Sequence, residues 1–132
     1  MTVRWTHITI NVSDLERSID FYTSVCGLSV VRDRRKEGGS TVWLGPMPTP
    51  GADPAFVLVL MEGEVTDRLD HLGFQCDSKE QVDRIAREAE LRGTLVWSPQ
   101  DSGGSVGYWT MLRDPDGHSV EFTFGQPISG LG

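Results

Sequence analysis

The chain has 132 residues, enough for one compact domain whose core needs neither disulfides nor structural zinc. Its formal net charge is −7, and its densest basic run, Arg32 to Lys36, is interrupted by Asp33 and followed by Glu37, so nucleic acid is not expected as a partner. No apolar run is long enough to span a bilayer, the start lacks the pattern of a secretory signal, and Cys26 and Cys76 sit in neither a C-x-x-C nor a zinc-ligand spacing.

Two buried thiols in a reducing, cytoplasmic setting are therefore expected, with no membrane partner. The basic run reads as a solvated strand end that could attract one anionic ligand.

In chain order, the first strand is expected from Arg4 to Val12, where Ile8, Ile10 and Val12 alternate with His7, Thr9 and Asn11. Ser13 and Glu16 have the spacing of a capping box, so Ser13 is expected to open a helix. Leu15, Ile19, Tyr22 and Cys26 recur at helical spacing, and Gly27 supplies a left-handed stop. Strands are then expected over Leu28–Arg34, Ser40–Gly45 and Ala55–Glu62, with a loop over Pro46–Gly51.

The pattern restarts at Asp70–Cys76. Ser78 and Gln81 form a second capping box, Val82, Ile85, Ala86 and Ala89 define a helix face, and Gly93 ends the helix. Strands follow near Thr94–Ser98, Val106–Arg113 and His118–Phe124, with a tight turn at Asp114-Pro115-Asp116-Gly117. Each half thus reads strand, helix, strand, strand, strand. An offset of 64 residues puts His71 on His7, Phe74 on Ile10 and Gln75 on Asn11. The expected fold is α+β: one domain over residues 1–132 built of two βαβββ modules, about 3–64 and 68–126, whose curved mixed sheet surrounds a metal-binding cavity.

The polar faces carry the candidate chemistry. His7, Thr9 and Asn11 share one side of the first strand, His71 and Gln75 one side of the fifth, and Ser119, Glu121 and Thr123 one side of the last. Two histidines occupy equivalent points of the repeat, and Glu121 lies in an otherwise apolar strand, where a carboxylate is costly without a partner. His7, His71 and Glu121 are therefore the candidate ligands of one divalent metal, Fe2+, Mn2+, Ni2+ or Zn2+. Three protein ligands leave positions open for water or substrate.

Three segments resemble the vicinal oxygen chelate superfamily, which includes glyoxalases, extradiol dioxygenases and bleomycin resistance proteins. They are His7 through Tyr22, the Asp70-His71 strand, and Asp114 through Glu121. The resemblance covers nearly the whole chain and implies that His7, His71 and Glu121 fall on the family's metal positions. It places the family's fourth ligand position at Leu58.

Two features of related branches are missing. Met111 stands where dioxygenases carry a Tyr, and lysines occur only at Lys36 and Lys79, too few for the anion clamp of the thiol transferases. The expected function is a metal-dependent lyase, isomerase or extradiol-type dioxygenase acting on a small, hydrophobic or aromatic substrate chelated through vicinal oxygens. The alternative is a protein of the same fold that sequesters a drug-like compound without catalysis.

Glu121 and Glu62 are the candidate general bases. Thr9, Asn11, Leu58, Trp109 and Met111 are the candidate substrate contacts, with Trp43, Trp97, Phe56 and Leu60 as further wall residues. The resemblance also implies a homodimer in which His7 of one subunit joins His71 and Glu121 of the other.

Overall fold

The computed structural model describes residues 5–47, 50 and 55–126. The expected strand start at Arg4 lies outside these residues, as do Pro48, Thr49 and Gly51 of the expected loop. The chain divides into two compact units, 1–68 and 69–132.

In the first unit the order is β1 (His7–Val12), α1 (Leu15–Ser24), β2 (Ser29–Asp33), β3 (Thr41–Gly45) and β4 (Val57–Glu62). The second repeats it with β5 (Leu72–Gln75), α2 (Lys79–Arg92), β6 (Leu95–Asp101), β7 (Tyr108–Arg113) and β8 (Ser119–Phe124). Each unit holds its own four-stranded mixed sheet, ordered β1-β4-β3-β2 in one and β5-β8-β7-β6 in the other. The first and last strands of each unit pair in parallel, and the other pairs are antiparallel.

The alternation along β1 becomes a two-faced sheet. Ile8 pairs with Leu58 and Ile10 with Leu60, while Leu58 and Leu60 pair onward with Leu44 and Val42. These side chains form the core of the first unit with α1, and Val42, Leu44 and Leu60 are wholly buried. Burying each such side chain contributes about 2 kcal/mol. The helix supplies Leu15, Ser18 and Tyr22, spaced to share one face.

In the second unit Val82, Ala86 and Ala89 of α2 are buried, as are Leu112, Val120 and Phe122 of the sheet. The rings of Phe74 and Phe122, register neighbours, stack at 5.6 Å.

The ends of α1 differ from expectation in one respect. Its N-cap is Asp14, whose side chain accepts from the Arg17 backbone N–H, whereas Ser13 receives the Arg17 guanidinium at 3.4 Å. A carboxylate one residue nearer the helix is the stronger acceptor for that amide. A second carboxylate serves the same end: Glu62 Oε2 accepts from the Leu15 N–H at 3.0 Å. The last residue of β4 thus ties the sheet to the start of α1.

Gly27 adopts φ +73°, and the Leu28 N–H reaches back to the Tyr22 carbonyl at 3.0 Å, closing the helix. In α2, Ser78 accepts from the Gln81 N–H at 3.1 Å, and the Gln81 side chain accepts from the Asp77 N–H at 2.7 Å. That is the reciprocal cap the spacing predicts, moved one residue at its return bond.

The basic run begins at a strand end, Arg32 and Asp33 being the last residues of β2, and then leaves the strand. Arg34–Glu37 form a short 3₁₀ turn, capped by Asp33 at its start and by Gly38 at φ +82° at its end. Its cue in the sequence is Asp33 before Arg34 and Gly38-Gly39 after Glu37. Between β7 and β8, Asp114 Oδ1 accepts from the Asp116 and His118 N–H groups, both at 2.9 Å, which fixes the tight turn and buries Asp114 and His118.

No disulfide links Cys26 and Cys76, and burial pushes the Cys76 thiol up to about 11.

Two outcomes follow from this architecture. Replacing Glu62 by Ala leaves the Leu15 N–H unsatisfied and lowers unfolding free energy by about 1–2 kcal/mol in a urea titration. Cys76, with about one thiolate in a thousand at pH 8, reacts with a thiol reagent far more slowly in the folded chain than in the unfolded one.

Candidate metal half-site

The polar face of the second sheet is set by the β5–β8 register, in which Leu72 lies beside Val120 and Gly73 beside Glu121. Successive residues alternate faces, so Val120 and Phe122 go to the core under α2 and Glu121 goes to the opposite side. Met111 is the cross-strand neighbour of Glu121, and Trp109 that of Thr123, so both candidate contacts share the carboxylate's face. The Trp109 indole N–H donates to Ser102 Oγ at 3.0 Å. Gly73 carries no side chain on this face, and a Cβ built there would meet open space, so nothing from β5 covers Glu121.

His71 stands immediately before β5, with Nε2 3.5 Å from Glu121 Oε2. Its other ring nitrogen, Nδ1, is 2.6 Å from Asp70 Oδ1. A carboxylate only accepts, so in this contact Nδ1 is the donor, and Nε2 is directed away from Asp70. Glu121 is similarly held: its Oε1 accepts from Gln126 Nε2 at 2.9 Å, which leaves Oε2 facing the ring.

The 3.5 Å gap exceeds a normal N–H···O distance. Two atoms each about 2.1 Å from a common ion stand roughly 3.0 Å apart at a right angle and roughly 3.4 Å apart at a tetrahedral angle. The pair is therefore spaced as neighbouring ligands rather than as a hydrogen bond. A carboxylate behind a histidine is also the usual arrangement around metal-bound imidazoles. The donor set fits a divalent cation. Among the described residues, no three His, Cys, Asp or Glu side chains gather about one point.

In the first unit, His7 Nδ1 lies 2.9 Å from Thr6 Oγ1. His7 and Thr9 face a hollow of about 460 Å³, lined also by Thr6, Arg34, Thr41, Trp43, Val57 and Val59. Asn11 is on the same side of β1 but two residues further along, beside Gly63, and does not line it.

The expectation for Leu58 is overturned. It pairs with Ile8, is buried on the α1 side, and does not face the hollow. A shift of one residue reverses the face, so Val57 and Val59 line the hollow instead. Leu60 is likewise core, and Phe56 precedes β4 and packs edge-on against Trp5.

The two units share one register. Glu121 lies beside Gly73, two residues after His71, and its counterpart beside Thr9, two after His7, is Val59. The first unit's counterpart of Glu121 is therefore Val59, which has no ligating atom.

Glu62 is also far from His7. Five ladder steps separate Val57, beside His7, from Glu62, beside Val12, or about 17 Å of strand. Its carboxylate faces α1 and is not placed to act on a substrate at His7.

Sequence reasoning passed over Asp70, Gln126 and Val59. Asp70 had a signal, a carboxylate directly before the ligand histidine; Gln126 and Val59 depend on pairings that only the sheets define.

Two duplicated β-α-β-β-β units, each with its own four-stranded mixed sheet and with a histidine–carboxylate pair on the polar face of the second, define the class of fold. The model of the Glyoxalase/Bleomycin resistance protein/Dioxygenase superfamily matches residues 4–122, and the chain belongs to that family.

It is 41% identical to an uncharacterized protein of Pseudomonas aeruginosa, over 97% of this chain and 93% of that one. It is 28% identical to a probable trivalent organoarsenical cleaving enzyme of Bacillus subtilis, over 92% of this chain and 80% of that protein. A lactoylglutathione lyase of Arabidopsis thaliana is 30% identical over 89% of this chain, which spans only 43% of it. A FosX fosfomycin resistance protein of Listeria monocytogenes, solved with Mn(II) and a dihydroxypropylphosphonic acid, superposes with a TM-score of 0.74 at 20% identity, over 99% of this chain and 98% of that one, and so shares the fold.

Proposed function

We propose that this chain is a divalent-metal-dependent enzyme acting on a small molecule held through two neighbouring oxygens, of the glyoxalase-like lyase or isomerase or the extradiol dioxygenase type. The observation that carries this reading is the His71–Glu121 pair, spaced as ligands at 3.5 Å and oriented from behind by Asp70 and Gln126. His7 of a partner subunit completes the ligand set in a homodimer, which leaves coordination positions for substrate. Of the proteins named above, one is a lactoylglutathione lyase, one a probable organoarsenical cleaving enzyme and one a fosfomycin resistance protein solved with Mn(II), which supports this assignment.

A bound Fe2+, Mn2+, Ni2+ or Zn2+ ion would supply Lewis-acid stabilisation of negative charge developing on substrate oxygen. The chain's own residues do the rest. Asp70 keeps the proton on His71 Nδ1. Glu121 is the base for the substrate proton when its Oε2 is free of the ion, and Gln126 holds Oε1 still. Trp109 and Met111 present apolar surface beside Glu121 and exclude water from the substrate body.

Elemental analysis of protein purified without chelators tests the assignment: about one metal per chain is expected, and protein that cannot be loaded overturns it. Asp70→Asn weakens metal affinity about 10- to 100-fold, measured by competition with a chelating dye, without unfolding the chain.

Mixing tests the sharing of sites. His7→Ala and Glu121→Ala chains each lack metal alone. If the site is shared, their mixed dimer contains one intact site, and refolding the two together restores about a quarter of the wild-type metal content for random pairing. No recovery rejects the shared site.

A further inference from the structure

The hollow beside His7 contains one cation, Arg34. Its neighbours in the basic run are occupied. Arg32 makes a two-bond pair with Glu37, Nε to Oε2 at 2.8 Å and Nη2 to Oε1. Arg35 is tied to Asp33 Oδ2 at 2.7 Å and to Glu16. Lys36 does not line the hollow.

Arg34 has no ion pair among the described residues. Glu37 feels its charge, but both Glu37 oxygens are engaged by Arg32. The 3₁₀ turn is what separates the roles, because consecutive residues of so tight a helix point in different directions. The wall next to Arg34 is apolar and aromatic. Trp43 carries the Arg32 guanidinium 5.4 Å from its ring centroid, and Val57 and Val59 complete the floor. Arg32, held by Glu37, thereby steadies the indole, and Arg34 lines the hollow.

We propose that Arg34 is the specificity-determining residue of this pocket and that the substrate is a small organic oxyanion: an apolar or aromatic body lying against Trp43, Val57 and Val59, with a carboxylate or other acidic group on the Arg34 guanidinium. The planar guanidinium offers paired donors that match an oxyanion. A chain of net charge −7 repels anions overall, so an arginine at the edge of a hollow, with no ion pair among the described residues, favours that place for one. The proposal deepens the metal-enzyme reading by giving its substrate a charge and a shape.

The test is calorimetry on metal-loaded dimer with benzoate, phenylphosphonate and neutral benzyl alcohol as probes. Wild type is expected to bind one or both anions at least tenfold more tightly than the alcohol. Which anion binds more tightly identifies the acidic group. Arg34→Ala is expected to lose about tenfold or more in anion affinity with the alcohol unchanged, and Arg34→Lys to keep part of it. The anion preference should fall as salt is raised.

Anion affinity unchanged in Arg34→Ala, equal binding of the alcohol, or no binding of any probe by wild type overturns the proposal. Metal content of the same samples separates the two claims. Normal metal content with binding indifferent to Arg34 rejects the oxyanion pocket alone. Arg34-dependent anion binding by protein that takes up no metal rejects the metal-enzyme reading alone.

Discussion

The parallel ladder between the first and last strands of each unit decides every other placement in the molecule. Once Gly73 lies beside Glu121, the carboxylate must face away from α2, because its neighbours Val120 and Phe122 are buried on the other side. Once His7 lies beside Val57, the same rule sends Thr9 and Val59 to the polar face and Leu58 and Leu60 to the core. The hydrophobic effect sets which side is which, and the hydrogen-bonded register then carries the polar residues to the opposite side as a set. Candidate chemistry is thus a consequence of core formation, and a one-residue slip would exchange the two.

Duplication with divergence explains the unequal halves. Both units hold a histidine at the start of their first strand, but only the second has a carboxylate at the matching place two residues on, with Val59 occupying that place in the first. The first unit has instead an aromatic and aliphatic hollow edged by an arginine, while the second has an oriented histidine–carboxylate pair.

Local electrostatics follow the same economy. In the 3₁₀ turn, Arg35 holds the Asp33 carboxyl down to about 2, and Arg32 lowers Glu37. The Arg32–Glu37 pair is solvent-exposed and the Arg35–Asp33 pair partly so, and their role is to orient side chains more than to stabilise the fold. Glu62 illustrates a carboxylate whose position in a strand suggests chemistry but whose neighbour, the first amide of α1, shows it to be a cap.

The sequence by itself determined the duplicated strand–helix–strand order, both helix stops at Gly27 and Gly93, the Asp114–Gly117 turn, and the pairing of His7 with His71 as equivalent points, because alternation, caps and glycine stops are local and repeat within each half. It also placed Glu121 on a polar face, since Val120 and Phe122 flank it. Only the tertiary structure decided that Val59 rather than Leu58 answers to Glu121, that Glu62 serves α1, and that Arg34 alone of the basic run faces the hollow. These depend on strand register, on a contact spanning 47 residues, and on which arginines find carboxylates, and none of the three leaves a periodic mark in the chain.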